Sequence, residues 1–151
     1  MNAFTPKVAN FEERVRASFD RQPFMQTIGA SLARVAPGEA EIVMPVTPRL
    51  GQQHGFVHAG VVAALADTAC GYAAFSLMPA SAGVLTTEFK VNLLAPAAGE
   101  RLLAVGRVVK PGRTLTVTQG EVFAETGSER RLVALLTATL IAVEGREDVR
   151  D

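Results

Sequence analysis

At 151 residues, with fifteen Lys and Arg against fifteen Asp and Glu, the chain is long enough to bury one core and carries no net charge. That balance points away from nucleic acid and from an anionic membrane surface as partners. The lone Cys70 excludes an internal disulfide and, set in an apolar run, reads as packing rather than as a nucleophile.

Residues 1–9 show no basic-then-apolar secretory pattern, so a loose start and a cytoplasmic location are expected. Asn10 then stands as an N-cap before a short amphipathic helix in which Phe11, Val15 and Phe19 recur at helical spacing, ending before Pro23. Ile28 to Val35 and Glu39 to Val46 read as two strands joined across Pro37-Gly38. From Pro48 to Val57 the chain is polar and glycine-containing, a loop that feeds directly into the next element.

That element is a long helix over Ala59 to Met78, closed by Pro79. Its only charged residue is Asp67. A membrane span is set aside, because a mid-helix Asp costs about 2.5–3.5 kcal/mol on insertion scales. At 100° per residue, Gly60, Ala64, Asp67, Gly71 and Ala74 share one face, so a carboxylate sits on a stripe of small residues. An acid in that setting is hydrated, hydrogen-bonded or chemically employed.

Four further β-rich segments follow, Val84 to Leu94, Leu102 to Val109, Thr114 to Ala124 and Leu132 to Val143, with short corners that favour antiparallel neighbours. Residues 145–151 form a charged tail expected to fray. The whole of 1–151 is read as one domain of the α+β class, a curved antiparallel sheet wrapped around the long apolar helix.

The run Gln52-Gln-His-Gly-Phe-Val-His58-Ala-Gly60, then Leu65-Ala-Asp67 and Phe89-Lys-Val-Asn-Leu-Leu-Ala-Pro96, resembles the phenylacetyl-CoA thioesterase (PaaI-like) type of hotdog-fold acyl-CoA thioesterases over roughly Ile28 to Val143. In that family an Asn, five residues and His-Gly-Gly precede an Asp nine positions after the His. The His58 to Asp67 interval matches, whereas Gln52 replaces the Asn and Ala59 the first Gly. The resemblance implies a hotdog fold, hydrolysis of an aryl- or medium-chain acyl-CoA, and commonly a dimer of dimers. It also makes Thr86 the hydroxyl that holds the attacking water, and places Arg113, in the turn Lys110-Pro-Gly-Arg-Thr114, near the CoA phosphates.

The chemistry fits the residues. Asp67 can serve as general base on water or as a direct nucleophile forming a mixed anhydride, and both routes stay open. The N–H groups of Ala59 and Gly60 point from a helix N-terminus, where orphan donors and the positive dipole end favour an oxyanion. His58 either orients the helix start or contacts the thioester, and Gln52 carries an amide donor for the same carbonyl. No metal or cofactor is implied beyond the CoA of the substrate. A hotdog hydratase or dehydratase and a non-catalytic acyl-CoA binder are the alternative functions.

Helix geometry adds an assembly. Gly60 and Asp67 are seven residues apart, about 10 Å along the axis, too far to surround one carbonyl. The helix start of one subunit is therefore expected beside Asp67 of another, in an obligate homodimer, with a tetramer implied by the resemblance.

Overall fold

The computed structural model describes residues 4–149, so the ends of both expected loose tails, residues 1–3 and 150–151, lie outside it. Ten residues, Phe11–Asp20, form α1, with Val15 and Phe19 buried as the spacing predicts. Asn10 occupies the N-cap, but its side chain makes no capping bond. Its carbonyl accepts from Arg14 N at 3.1 Å instead. A second helix, α2, spans Pro23–Ile28, across the expected connection and the first residue of the expected strand Ile28 to Val35, so that strand starts only at Ser31. Pro23 suits the first helical position, where its missing N–H is an orphan anyway, and Gly29 at φ 74° ends the helix in the left-handed conformation.

Strands β1 (Ser31–Ala36) and β2 (Glu39–Pro45) form the expected hairpin. After a 3-10 turn at Pro48–Leu50 comes the long helix α3, Ala59–Phe75. It stops three residues short of the predicted end. Leu77 and Met78 N–H groups bond back to Ala74 and Phe75 carbonyls at 3.1 and 3.0 Å, a tightened last turn. Ser76 Oγ fixes that turn by donating to Ala73 O at 2.7 Å while accepting from Gly38 N at 2.8 Å. The remaining strands are β3 (Ala82–Leu93), β4 (Arg101–Lys110), β5 (Leu115–Thr126) and β6 (Glu129–Glu144).

All six strands lie in one antiparallel sheet ordered β1-β2-β4-β5-β6-β3, curved around α3. Alternation along the strands sends Ala40, Ile42, Met44, Leu102, Ala104, Val122, Ala134, Leu136 and Ala138 into the core against α3. The closest approach of helix to sheet depends on missing side chains. Gly106 and Gly120 are directly paired across β4 and β5. A Cβ at Gly106 would strike the Ala69 backbone, and one at Gly120 would lie 3.0 Å from Cys70 Sγ. Cys70 is thus packed beneath the helix, and burial pushes its thiol up to about 12, away from reactivity.

Each tail makes a contact with the body of the domain. Phe4 packs on the core and its ring covers Gly38, while Val149 lies over Gly83. Arg14 of α1 stacks on Phe75 with its guanidinium carbon 3.9 Å from the ring centroid and donates to Met78 O at 3.2 Å, fastening α1 to the end of α3. No helix among the described residues is long and apolar enough to cross a membrane.

Candidate active site

Asp67 projects from the middle of α3 on the face that the sheet leaves uncovered, and it is half-buried. Thr86 of β3 donates from Oγ1 to Asp67 Oδ1 at 2.8 Å. A register shift between Thr86 and Glu88 follows this contact, and Thr87 Oγ1 donates to Thr139 O at 2.9 Å across it. Burial pushes the Asp67 carboxyl above the ordinary carboxylate range, and the Thr86 bond partly offsets that rise. The result is an oriented carboxylate with raised basicity, suited to take a proton from water or to attack a carbonyl.

The other sequence-predicted residues gather at the start of α3. His58 is the N-cap, with extended backbone (φ −59°, ψ 137°), and its Nδ1 accepts from Gly60 N at 2.8 Å. The Gly60 N–H, expected to point at an oxyanion, is thus engaged by the His58 ring. Ala59 N–H occupies the first helical position and has no intrahelical acceptor. Gln52 opens the preceding loop: its N–H donates to Phe56 O at 2.8 Å and its Oε1 accepts from His54 N. With the amide oxygen committed, the NH2 end of Gln52 remains as a donor.

Two separate cavities contain these groups. A 320 Å3 cavity is lined by Asp67, Thr86, Thr68, Gly71 and Tyr72 together with Ser18 and Gln22 from the N-terminal helices. A 510 Å3 cavity is lined by Gln52, His58 and Ala59, with Phe56, Leu93 and Leu94 as its apolar wall. The structure therefore joins Asp67 with Thr86, and Gln52 with His58 and Ala59, but does not join the two sets within one chain. Arg113 sits exposed in the β4–β5 turn and lines neither cavity. Sequence reasoning missed Ser18, Gln22 and Tyr72. Tyr72 falls outside the stripe of Gly60, Ala64, Asp67, Gly71 and Ala74, and Gln22 lies at the junction between α1 and α2, a helix too short to be read from periodicity. Among the described residues no three His, Cys, Asp or Glu side chains are grouped to hold a metal ion.

Comparison with known proteins identifies the family and the fold. Residues 54–130 match the family model of the thioesterase superfamily. The fold is similar to a thioesterase family protein from Silicibacter pomeroyi, 53% identical, with a TM-score of 0.88 over 90% of this chain and 100% of that one. It also shares the fold of the E. coli PaaI protein from the phenylacetic acid degradation operon, at 24% identity and TM-score 0.80, covering 89% of this chain and 94% of that one. In sequence it is 25% identical over 122 residues to a 1,4-dihydroxy-2-naphthoyl-CoA hydrolase of Listeria monocytogenes, spanning 81% of this chain and 97% of that one. The six-stranded sheet curved around one helix is a hotdog fold. The chain belongs to the thioesterase superfamily and is a thioester hydrolase, which favours hydrolysis over the hydratase and non-catalytic alternatives.

Proposed function

We propose that the protein hydrolyses an aryl- or medium-chain acyl-CoA to the free acid and CoA at a site completed by two subunits. Asp67 acts on the thioester carbonyl as general base or nucleophile, and Thr86 positions the carboxylate and the attacking water. The developing oxyanion is received by Ala59 N–H and the Gln52 amide of a second subunit, with His58 holding that helix start in shape through its bond to Gly60 N–H. Arg113 is assigned to a CoA phosphate, which suits a guanidinium. Hydrolysis needs no group beyond these residues and water, and a cytoplasmic setting is part of the same proposal.

One observation carries this reading: base and oxyanion donors lie in separate cavities of a single chain. A homodimer that apposes the exposed faces of two α3 helices brings the two half-sites together twice. Supporting it, β3 is an edge strand of 12 residues, and Phe89 and Leu93 on its helix-facing side are 46% and 52% exposed. A tetramer, as a dimer of such dimers, extends the proposal.

The test is release of free thiol from a panel of acyl-CoA thioesters by the wild type and by Asp67→Asn. Loss of about 10²–10⁴-fold in turnover is expected for the variant, with acyl-CoA binding retained. Turnover within a few-fold of wild type would remove Asp67 from the chemistry.

A further inference from the structure

β3 carries two adjacent threonines, and it is Thr86 that meets Asp67, through the 2.8 Å bond from its Oγ1 to Oδ1. Thr86 is paired with Leu140 of β6 and Phe89 with Ala138, both buried core residues, so Thr86 and Phe89 lie on the helix-facing side of the sheet. In a regular strand two residues three apart point to opposite faces. The discrepancy is absorbed at Thr87, because the register passes from Thr86–Leu140 straight to Glu88–Thr139. Thr87 is the extra residue of a β-bulge.

The place of that bulge decides which hydroxyl reaches the carboxylate. Were Thr86 the extra residue, Thr87 would stand opposite Leu140 and take the helix-facing position, and Thr86 would leave it. The backbone ladder does not choose between the two, since either arrangement leaves one residue without a register partner. Side chains break the tie. Thr87 Oγ1 donates to Thr139 O at 2.9 Å, and Thr139 Oγ1 donates to Glu88 Oε1 at 3.1 Å. Thr139 is thus held at its carbonyl by Thr87 and at its hydroxyl by Glu88, the residues at the step in register. With Thr87 turned to the helix-facing side, its bond to Thr139 O would be lost.

Resting on the reading of Thr86 as the residue that orients Asp67, we propose that Thr87 is a positioning residue for the hydrolysis. Its bond to Thr139 O pins the bulge and so sets Thr86, rather than Thr87 itself, against the carboxylate. Thr87 acts through Thr86 and touches neither the substrate nor Asp67.

The experiment measures kcat and KM for Thr86→Val, Thr87→Val, Thr87→Ser and the double variant Thr86→Val/Thr87→Val, on the acyl-CoA of the panel that wild type hydrolyses fastest, with Tm recorded for each. Valine keeps the branched shape and the strand preference of threonine and removes the hydroxyl. Thr87→Val is expected to lose about tenfold or more in kcat, because a small misplacement of a catalytic group is costly, with KM and Tm close to wild type. Thr87→Ser, which retains the donor, should restore most of the rate. The double variant should be no slower than Thr86→Val alone, because Thr87 then has nothing to position. A crystal structure of Thr87→Val is expected to show the bond from Thr86 to Asp67 broken. Retention of that bond would overturn the proposal, as would a Thr87→Val kcat within about twofold of wild type, a loss that serine does not restore, or losses that multiply in the double variant. Full turnover by Thr86→Val would instead overturn the underlying reading of Thr86, independently of Thr87.

Discussion

Thr86 does two things to Asp67: it fixes one carboxylate oxygen and counteracts the effect of burial on its proton affinity. Removing the hydroxyl in Thr86→Val leaves burial unopposed, so the Asp67 pKa rises further. Activity depends on the ionised form and is lost as pH falls through that pKa. The acid limb of the rate profile is therefore expected to move to higher pH in Thr86→Val, and an unmoved limb would separate Thr86 from the carboxylate. The same residue carries a stability prediction. A carboxyl whose folded pKa lies above its unfolded value favours folding fully below the unfolded pKa and loses that contribution as pH rises through the folded one. Asp67→Asn should accordingly raise Tm at neutral pH, with the gain shrinking in acid, as thermal melts across pH would register. The sequence made Asp67 legible because it is the one charge in an apolar helix. It hid the use of the Gly60 N–H by His58, since an imidazole two residues away is not a usual N-cap and its rotamer depends on the loop from Leu50 to Val57. Ala59 remains as the open donor, and Ala59→Pro isolates it. Proline is tolerated at the first helical position, and the extended backbone of His58 suits a residue preceding proline. Loss of one oxyanion donor costs about 10²–10³-fold in kcat. A near-normal rate with an intact fold would exclude that role.

At the scale of elements, periodicity located α1, α3 and all six strands, with bounds that shift by a few residues at most ends. The exceptions have physical causes. α2 is only six residues long, too short for a periodic signal, although Pro23 and Gly29 marked its two ends. The predicted end of α3 runs too far because Leu77 and Met78 stay buried and apolar after the helix has stopped, beside Ser76, whose hydroxyl is bonded by Gly38 N–H from a distant part of the chain. Which helical face meets the sheet was also hidden. The tightest contact is made not by the small-residue stripe containing Asp67 but by Ala66, Ala69 and Cys70 over the glycine pair Gly106 and Gly120. Gly106→Ala would drive a methyl into the Ala69 backbone and push α3 off the sheet. A loss of about 1–3 kcal/mol is expected by denaturant titration, the usual cost of overpacking. A neutral result would contradict the close contact of α3 with Gly106.

The whole molecule leaves one side unfinished. β3 is an edge strand, Phe89 and Leu93 on its helix-facing side are exposed, and beside them α3 exposes the stripe of Gly60, Ala64 and Asp67. Helix geometry in the sequence was enough to argue that Gly60 and Asp67 cannot serve one carbonyl from one chain. The surface that would join two chains was not visible there, because β3 reads like any other strand until its place at the edge is known. Leu93→Lys, which puts a charge on that surface, is expected to shift the protein to monomer in sedimentation and to remove activity with it. An active monomer would break the link between assembly and catalysis. The shared site itself is tested most directly by mixing. Asp67→Asn and Ala59→Pro chains, each inactive alone, are combined under conditions where subunit exchange is verified by mass. Random exchange gives heterodimers with one intact site of two, so recovery of about a quarter of wild-type activity is predicted. Verified exchange without any recovered turnover would contradict a site built from two subunits.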